Sequence, residues 1–264
     1  MENESSPKGT QSIERTIQIL KKVASRNTAG ITLAEIARET GLKSPTAHRI
    51  LACLTEQGLL MQRGPKREYF LGMLAYELGL AANCHFTLRE LCSPVLNRLA
   101  RATGDTVFLT TRSGTDSVVI ERVEGSYPVK VLTQMVGERR PLGSTAGGLA
   151  LLAAMPEAER EDVIRKNRHR LNRYGKLSEE LLNHMVERAC RLGYALNDGQ
   201  ILPEVTGIGV VVPTLLGSHY AALSIVALNN RLVGNRRDEV VAMLNAEAAK
   251  LGRTLADASA AARL

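Results

Sequence analysis

The sequence predicts an α+β chain: a small helical head bearing one β-hairpin, a connector helix, and a larger domain on an antiparallel sheet. Three observations carry this. Two short helical patterns meet at Gly41, a hairpin signature (Gly64-Pro65-Lys66) follows, and beyond residue 85 strand-like runs alternate with helical ones. Strands that arrive as hairpins, with helices before, between and after them, mark an antiparallel α+β domain. At 264 residues the chain has room for two cores. With 44% hydrophobic residues, 3% aromatics and no Trp, those cores are aliphatic.

The head is read over 11–72. Ile13, Ile17, Leu20 and Val23–Ala24 recur at helical spacing. Thr32-Leu-Ala-Glu35 is a capping box, in which hydroxyl and carboxylate reciprocally satisfy free amides at a helix start. That second helix is expected to stop at Gly41, which reaches the left-handed conformation without steric cost. A third opens at Ser44-Pro45, with Ser44 as cap and proline at the first position, turns Ala47, Ile50, Leu51 and Leu54 inward, and ends near Gly58. Two strands, LLMQR and REYFL, then form a hairpin over 59–71. Residues 1–10 are polar and read as a disordered arm. The stretch 73–84 is an apolar helix with one charge, Glu77, and reads as a connector that packs against another chain.

The domain over 85–264 opens on a second capping box, Thr87-Leu-Arg-Glu90. Its helix carries Leu88, Leu91, Val95 and Leu99, with Pro94 inside, where a bend is expected. Strands are expected over 106–111, 117–123, 129–133, 207–213 and 220–228, the last two joined through Gly217. Helices are expected over 144–166, 178–191 and 236–258.

Residues 33–52 are the most informative stretch. Ala37 supplies a small residue where two helices touch, and Gly41 permits the turn. Ile36, Leu42, Ala47 and Ile50 pack the pair. The set expected to meet a nucleic acid is Lys43, Ser44, Thr46, Ala47, His48 and Arg49, with no carboxylate before Glu56. A face of donors suits a helix in the major groove of double-stranded DNA, where Arg49 can give a bidentate pair to guanine. Arg63, Lys66 and Arg67 stand at the hairpin, placed as a wing beside the flanking backbone. The combination is a winged helix-turn-helix; the plainer alternative is a helical hairpin with a solvated basic face. The net charge of +7 and pI near 9.4 suit a polyanionic partner, although residues 1–83 contribute only 11 basic and 8 acidic side chains.

These motifs, SIERTIQIL, TLAEIARETGLKSPTAHRILACLTEQGLL, the hairpin ending YFLG, PLGSTAGGLALLA and GYALNDGQILPEVTGIGVVVP, resemble the IclR-type bacterial regulators over about residues 11–258. The resemblance implies a winged-helix DNA domain, a connecting helix and a GAF-like effector-binding domain. It also implies operator DNA and a small organic effector as partners, a homodimer or homotetramer, and action as repressor or activator. Read alone, Gly143-Ser144-Thr145-Ala146-Gly147-Gly148 is either a helix cap or a seat for a polar ligand end at a helix N-terminus; the resemblance favours the seat. Its pocket positions fall on Asn197 (beside Asp198), Gly207, Ser224 and Val226. Val226 stands where a hydroxyl is usual, and Pro203-Glu204-Val205 replaces PGV. These departures lead to the expectation of a ligand larger or less polar than a two- or three-carbon keto acid. Met135 and Val136 either line that pocket or belong to the core.

Other classes find no support in the residues. No nucleophile elbow, zinc-protease helix, P-loop or dinucleotide fingerprint occurs in a fitting context, so no enzyme and no cofactor are expected. The four cysteines (Cys53, Cys84, Cys92, Cys190) lack metal-ligand spacing, so no metal or disulfide is expected and reduced thiols in a cytoplasm fit. No apolar run reaches the roughly 18 residues of a membrane span. A basic run from Arg165 to Lys176 reads as a solvated face; a second DNA contact or a protein interface is the alternative. The rival to a DNA regulator is a winged helix used for protein contacts, or a small-molecule binder without operator specificity.

Overall fold

The computed structural model describes residues 10–83, 88–213 and 221–261. The expected arm, Thr87 of the second capping box and the Gly217 connection lie outside them, apart from Thr10 of the arm. The chain divides into two compact units, Met1–Phe86 and Thr87–Leu264.

In the first unit, α1 (Gln11–Ser25), α2 (Leu33–Thr40) and α3 (Ser44–Glu56) precede a hairpin of β1 (Leu60–Arg63) and β2 (Glu68–Leu71), then α4 (Met73–Asn83). The capping box forms: the Glu35 amide donates to the Thr32 hydroxyl, and the Thr32 amide donates to Glu35 Oε2 at 2.9 Å. Gly41 ends α2 at φ 70°, as the turn requires. At the next helix Lys43 is the cap and Ser44 lies already in the first turn, with no side-chain capping bond; Pro45 supplies the preset φ instead. The core joins Ile19, Val23, Ile31, Ile36, Leu51, Leu54, Leu60 and Tyr69. The apolar stripe of α1 is therefore Ile19–Val23, flanked by Leu20. Ile13 and Ile17 lie on another face and are 57% and 45% exposed. Ile31 forms an isolated antiparallel bridge to Tyr69 at the edge of the two-stranded hairpin.

The second unit is a six-stranded antiparallel sheet in the order β5-β4-β3-β8-β7-β6. Its strands are β3 (Thr106–Ser113), β4 (Asp116–Val123), β5 (Arg139–Pro141), β6 (Ala195–Asp198), β7 (Val205–Val212) and β8 (Ala221–Leu228). One face, with Leu109, Ile208, Val210, Leu223 and Ile225, packs on α5 (Leu88–Thr103) and α9 (Gly234–Ala261). The other meets α6 (Ala146–Ala153) and α8 (Glu179–Leu192), with α7 (Glu157–Leu171) beside α8. Helix α5 runs through Pro94, and its buried stripe is Cys92, Val95, Leu96, Leu99 and Ala100.

Two expectations are corrected here. Residues 129–133 are not a strand: the edge of β4 is occupied by Arg139–Pro141, paired at Asp116–Val118. The segment arches instead, burying Val131 and leaving Val129 and Leu132 about half exposed. The helix expected over 144–166 is two, because Pro156 cannot continue the first and caps the second.

Cys92 is fully buried, and burial, with the Glu121 charge, pushes its thiol up to about 12. A thiol with a raised pKa stays protonated below that value, and the thiolate is the reactive form. Iodoacetamide at pH 8 is therefore expected to label exposed Cys53 and Cys190 in the native protein and to reach Cys92 only after denaturation. Peptide mapping with and without urea checks this.

Candidate nucleic-acid interface and ligand cavity

On α3 the side chains of Lys43, Ser44, His48 and Arg49 are exposed and Thr46 is half-buried. Ala47 is 0% exposed and belongs to the core, so it is removed from the surface set. The side chains of Lys43, His48 and Arg49 make no hydrogen bond or ion pair to another described residue. The acids that precede the face are already engaged: Glu39 accepts from Lys22 at 3.2 Å and from Arg26 at 2.7 Å, and Glu35 is tied to Thr32 and Arg26, while Glu56 follows two turns beyond Arg49. Electrostatically, the face is left positive.

The hairpin tip is Gly64-Pro65-Lys66-Arg67, closed by the Arg67 amide donating to the Gly64 carbonyl at 3.1 Å. Arg67 has φ 54°, the one non-glycine with positive φ among the described residues. That conformation costs an L-residue of order 1 kcal/mol, and here Gln62 holds it, donating to the Arg67 carbonyl at 2.9 Å. Arg63, Lys66 and Arg67 are all exposed.

In the second unit a cavity of about 40 Å³ is lined by Thr133, Gln134, Arg140, Ser144, Thr145, Ala146, Asn197, Gly207, Ser224 and Val226, with Ile201, Leu202 and Val205. Its floor is the start of α6. The Thr145 hydroxyl accepts from the Gly148 amide at 3.0 Å, and Ser144 Oγ donates to the Pro141 carbonyl at 2.7 Å. Helix α6 approaches β7 at backbone contact: a Cβ on Gly209 would stand 2.4 Å from the Ala146 carbonyl oxygen. Asn197, Gly207 and Val226 are cross-strand neighbours on β6, β7 and β8, so the register alone brings them together.

Seven of the ten positions expected at the pocket line this cavity. Three do not. Asp198 is held by Arg188, whose Nη1 and Nη2 both donate to its carboxylate at 3.1 Å. Gly143 turns the chain into α6 at φ 92°, with Leu182 packed where a side chain would go. Met135 is 46% exposed, in neither core nor cavity, as is its neighbour Val136 at 52%. Sequence reasoning missed Thr133, Gln134, Arg140, Ile201, Leu202 and Val205 as lining residues. Arg140 had a faint signal, a cation just ahead of the small-residue loop; Gln134 had none.

The profile described as IclR helix-turn-helix domain matches residues 12–64, and that described as bacterial transcriptional regulator IclR C-terminal matches residues 81–253. The chain belongs to the IclR family. It is thus a transcriptional regulator with a helix-turn-helix DNA-binding domain and a C-terminal effector-binding domain; the matched family and relatives are regulators, not enzymes. The chain is 25% identical to the transcriptional repressor IclR of Escherichia coli over 240 residues, 89% of this chain and 86% of that protein. An IclR-family regulator from Brucella abortus shares the fold with TM-score 0.76 and 23% identity, covering 94% and 93% of the two chains. An IclR homologue from Microbacterium hydrocarbonoxydans, solved in complex with 4-hydroxybenzoate, gives TM-score 0.69 at 27% identity, covering 92% and 98%. No described helix is long and apolar enough to cross a membrane, and no described group of side chains is arranged to hold a metal.

Of the basic run, Arg165 and Lys166 pair with Asp162 on their own helix, and Arg170 with Asp116 at 2.8 Å. One helical carboxylate thus serves two of the six cations and a β4 carboxylate a third, while Arg168, Arg173 and Lys176 make no ion pair among the described residues.

Proposed function

We propose that this IclR-family regulator reads operator DNA with α3 in the major groove and the β1–β2 wing on the flanking backbone. The reading rests on one observation above the others: Lys43, His48 and Arg49 are exposed with no acidic partner, while Lys22 of α1 and Arg26 just beyond it engage Glu39, and Arg26 engages Glu35. Arg49 is the base-reading residue; Ser44 and Thr46 contact backbone or a thymine methyl, Lys43 adds charge and His48 a ring hydrogen-bonding group. Arg63, Lys66 and Arg67 contact phosphates.

The regulator works in the cytoplasm as a homodimer, or as a pair of dimers. Helix α4 supports this: Met73, Tyr76, Leu78 and Leu80 are each more than half exposed, a surface suited to a second copy. Two heads then address half-sites about one helical turn, ~34 Å, or a multiple apart. The cavity on α6, β6, β7 and β8 receives the effector through Ser144, Thr145, Ala146, Asn197, Gly207, Ser224 and Val226, and 4-hydroxybenzoate in the Microbacterium homologue makes a small aromatic acid a reasonable first probe. Occupancy shifts operator affinity, relieving repression or driving activation; a coupling of about 1–3 kcal/mol is sufficient.

The wing assignment gives a clean test. Lys66→Ala is expected to weaken operator and scrambled duplexes nearly equally and to lower the salt slope of log K by about 1. Anisotropy titrations at four salt concentrations read both; an unchanged slope removes the wing from the interface.

A further inference from the structure

The second unit gathers its positive charge in one place. Residues 87–264 hold 23 basic and 19 acidic side chains, and residues 165–176 supply six of those bases and no acid. Outside that run the balance reverses, with 19 acids against 17 bases. Helix α7 is divided the same way: Glu157, Glu159, Glu161 and Asp162 stand in its first half, and the cations crowd its end. The helix dipole favours cations in the last turn. It does not account for Arg173 and Lys176, which follow the end of the helix at Leu171.

These cations are displayed and largely unmatched. Arg165, Lys166, Arg168, Arg173 and Lys176 are exposed; the first two share Asp162, and the other three have no ion pair among the described residues. Glu161 and Glu179 border a groove with Arg165 and Arg168 without pairing to either, so they mark the edge of the patch. The backbone beneath is pinned. Leu171 and Leu177 are buried, the Tyr174 amide donates to the Leu171 carbonyl at 2.9 Å, and the Lys176 amide donates to the Gln200 carbonyl at 3.1 Å. A pinned turn has little backbone freedom to lose when it meets a partner. Like charges on one surface repel one another, and a polyanion relieves that repulsion. From Arg165 to Leu171 the helix rises about 9 Å, over which one strand of a DNA duplex presents about two to three phosphates.

We propose that residues 165–176 form a second DNA contact, outside the helix-turn-helix unit. Arg168, Arg173 and Lys176, with Arg165 and Lys166 in support, hold the phosphate backbone of duplex flanking the operator, whatever its sequence. A duplex is the fitting polyanion because the helix-turn-helix unit already tethers one, which brings phosphates to this surface at high local concentration. The proposal needs DNA binding by the first unit, but no particular assignment of residues on α3.

The test uses the full chain and the operator in duplexes of about 30 and about 60 base pairs, the longer extended on both sides by arbitrary sequence, titrated from about 50 to 200 mM salt. The wild type is expected to bind the longer duplex about tenfold or more tighter at the lowest salt, with a salt slope of log K steeper by about 2–3 for each chain engaged. In the triple variant Arg168→Gln, Arg173→Gln, Lys176→Gln, the advantage of length and the extra slope are expected to disappear, while affinity for the short duplex stays with the wild type. All three side chains are exposed and unpaired, so the variant should melt with the wild type. A second triple variant, Arg101→Gln, Arg191→Gln, Arg253→Gln, removes exposed cations from α5, α8 and α9 and lowers the net charge equally; it is expected to keep the advantage of length. No length advantage in the wild type, its persistence in the first variant, or equal loss in both variants would overturn the proposal. The run would then be a solvated helix end or a surface for an acidic protein. Preference for the short operator over a scrambled short duplex reads the α3 assignment separately, and the length advantage is measured whichever way that falls.

Discussion

Replacing Arg49 by alanine is expected to lower affinity for the operator by about 1–3 kcal/mol, roughly five- to 150-fold, and to relax preference at one base position. The loss should fall on specific binding, because a bidentate contact to a base edge discriminates sequence, whereas phosphate contacts hold any duplex. The Arg49 side chain is exposed and bonded to no other described residue, so its removal leaves no orphaned partner in the fold. The variant should melt with the wild type while its operator-to-scrambled ratio collapses. Competition anisotropy with single-base operator variants measures this; an unchanged ratio would move base reading away from this position on α3.

Asp105→Ala is expected to have the largest effect on stability. The carboxylate is 2% exposed and accepts from Arg231 Nε at 2.6 Å and Arg236 Nη2 at 3.0 Å, joining the start of β3 to the approach to α9. Both arginines also donate to the Thr103 carbonyl, and the Arg231 guanidinium stacks 3.6 Å from the centre of the Tyr127 ring. Removing the acid strands a cation that is only 17% exposed, and breaking a buried pair this way costs about 3–5 kcal/mol. Arg236, 40% exposed, recovers water, so the low end applies, about 3 kcal/mol. For a unit of this size that is a fall in melting temperature of about 6–12 °C by calorimetry. Asp105→Asn keeps acceptor geometry without the charge and should fall between; a melting point unchanged in Asp105→Ala would show that Thr103 and Tyr127 hold the arginines without the carboxylate.

What the sequence made legible was local chemistry. The Thr32–Glu35 box, the Gly41 stop and the Gly64-Pro65 turn are set by neighbours within four residues, and all three form. Periodicity misled where two apolar stripes competed: in α1 Ile13–Ile17 and Ile19–Val23 are equally regular, and only packing against Ile36 and Leu51 selects the second. The run Val129–Thr133 alternates like a strand, but pairing is a long-range matter, and three residues at Arg139–Pro141 take the available edge. The cavity shows the same division. Asn197, Gly207, Ser224 and Val226 were found through a family resemblance and brought together by register. Gln134 and Arg140 enter through sheet curvature, which no local pattern encodes, and a pair of arginines at an edge reads in sequence as solvated charge.

The central claim is that the α3 face is a sequence reader. The most direct measurement is titration of the purified protein against its own upstream intergenic DNA and a scrambled duplex of equal length, each at 50 and 200 mM salt. The account predicts tighter binding to the intergenic duplex by about a thousandfold or more, with both affinities falling steeply as salt rises. Equal affinity for the two duplexes at both salts would contradict it and leave the winged helix as a surface for protein contacts.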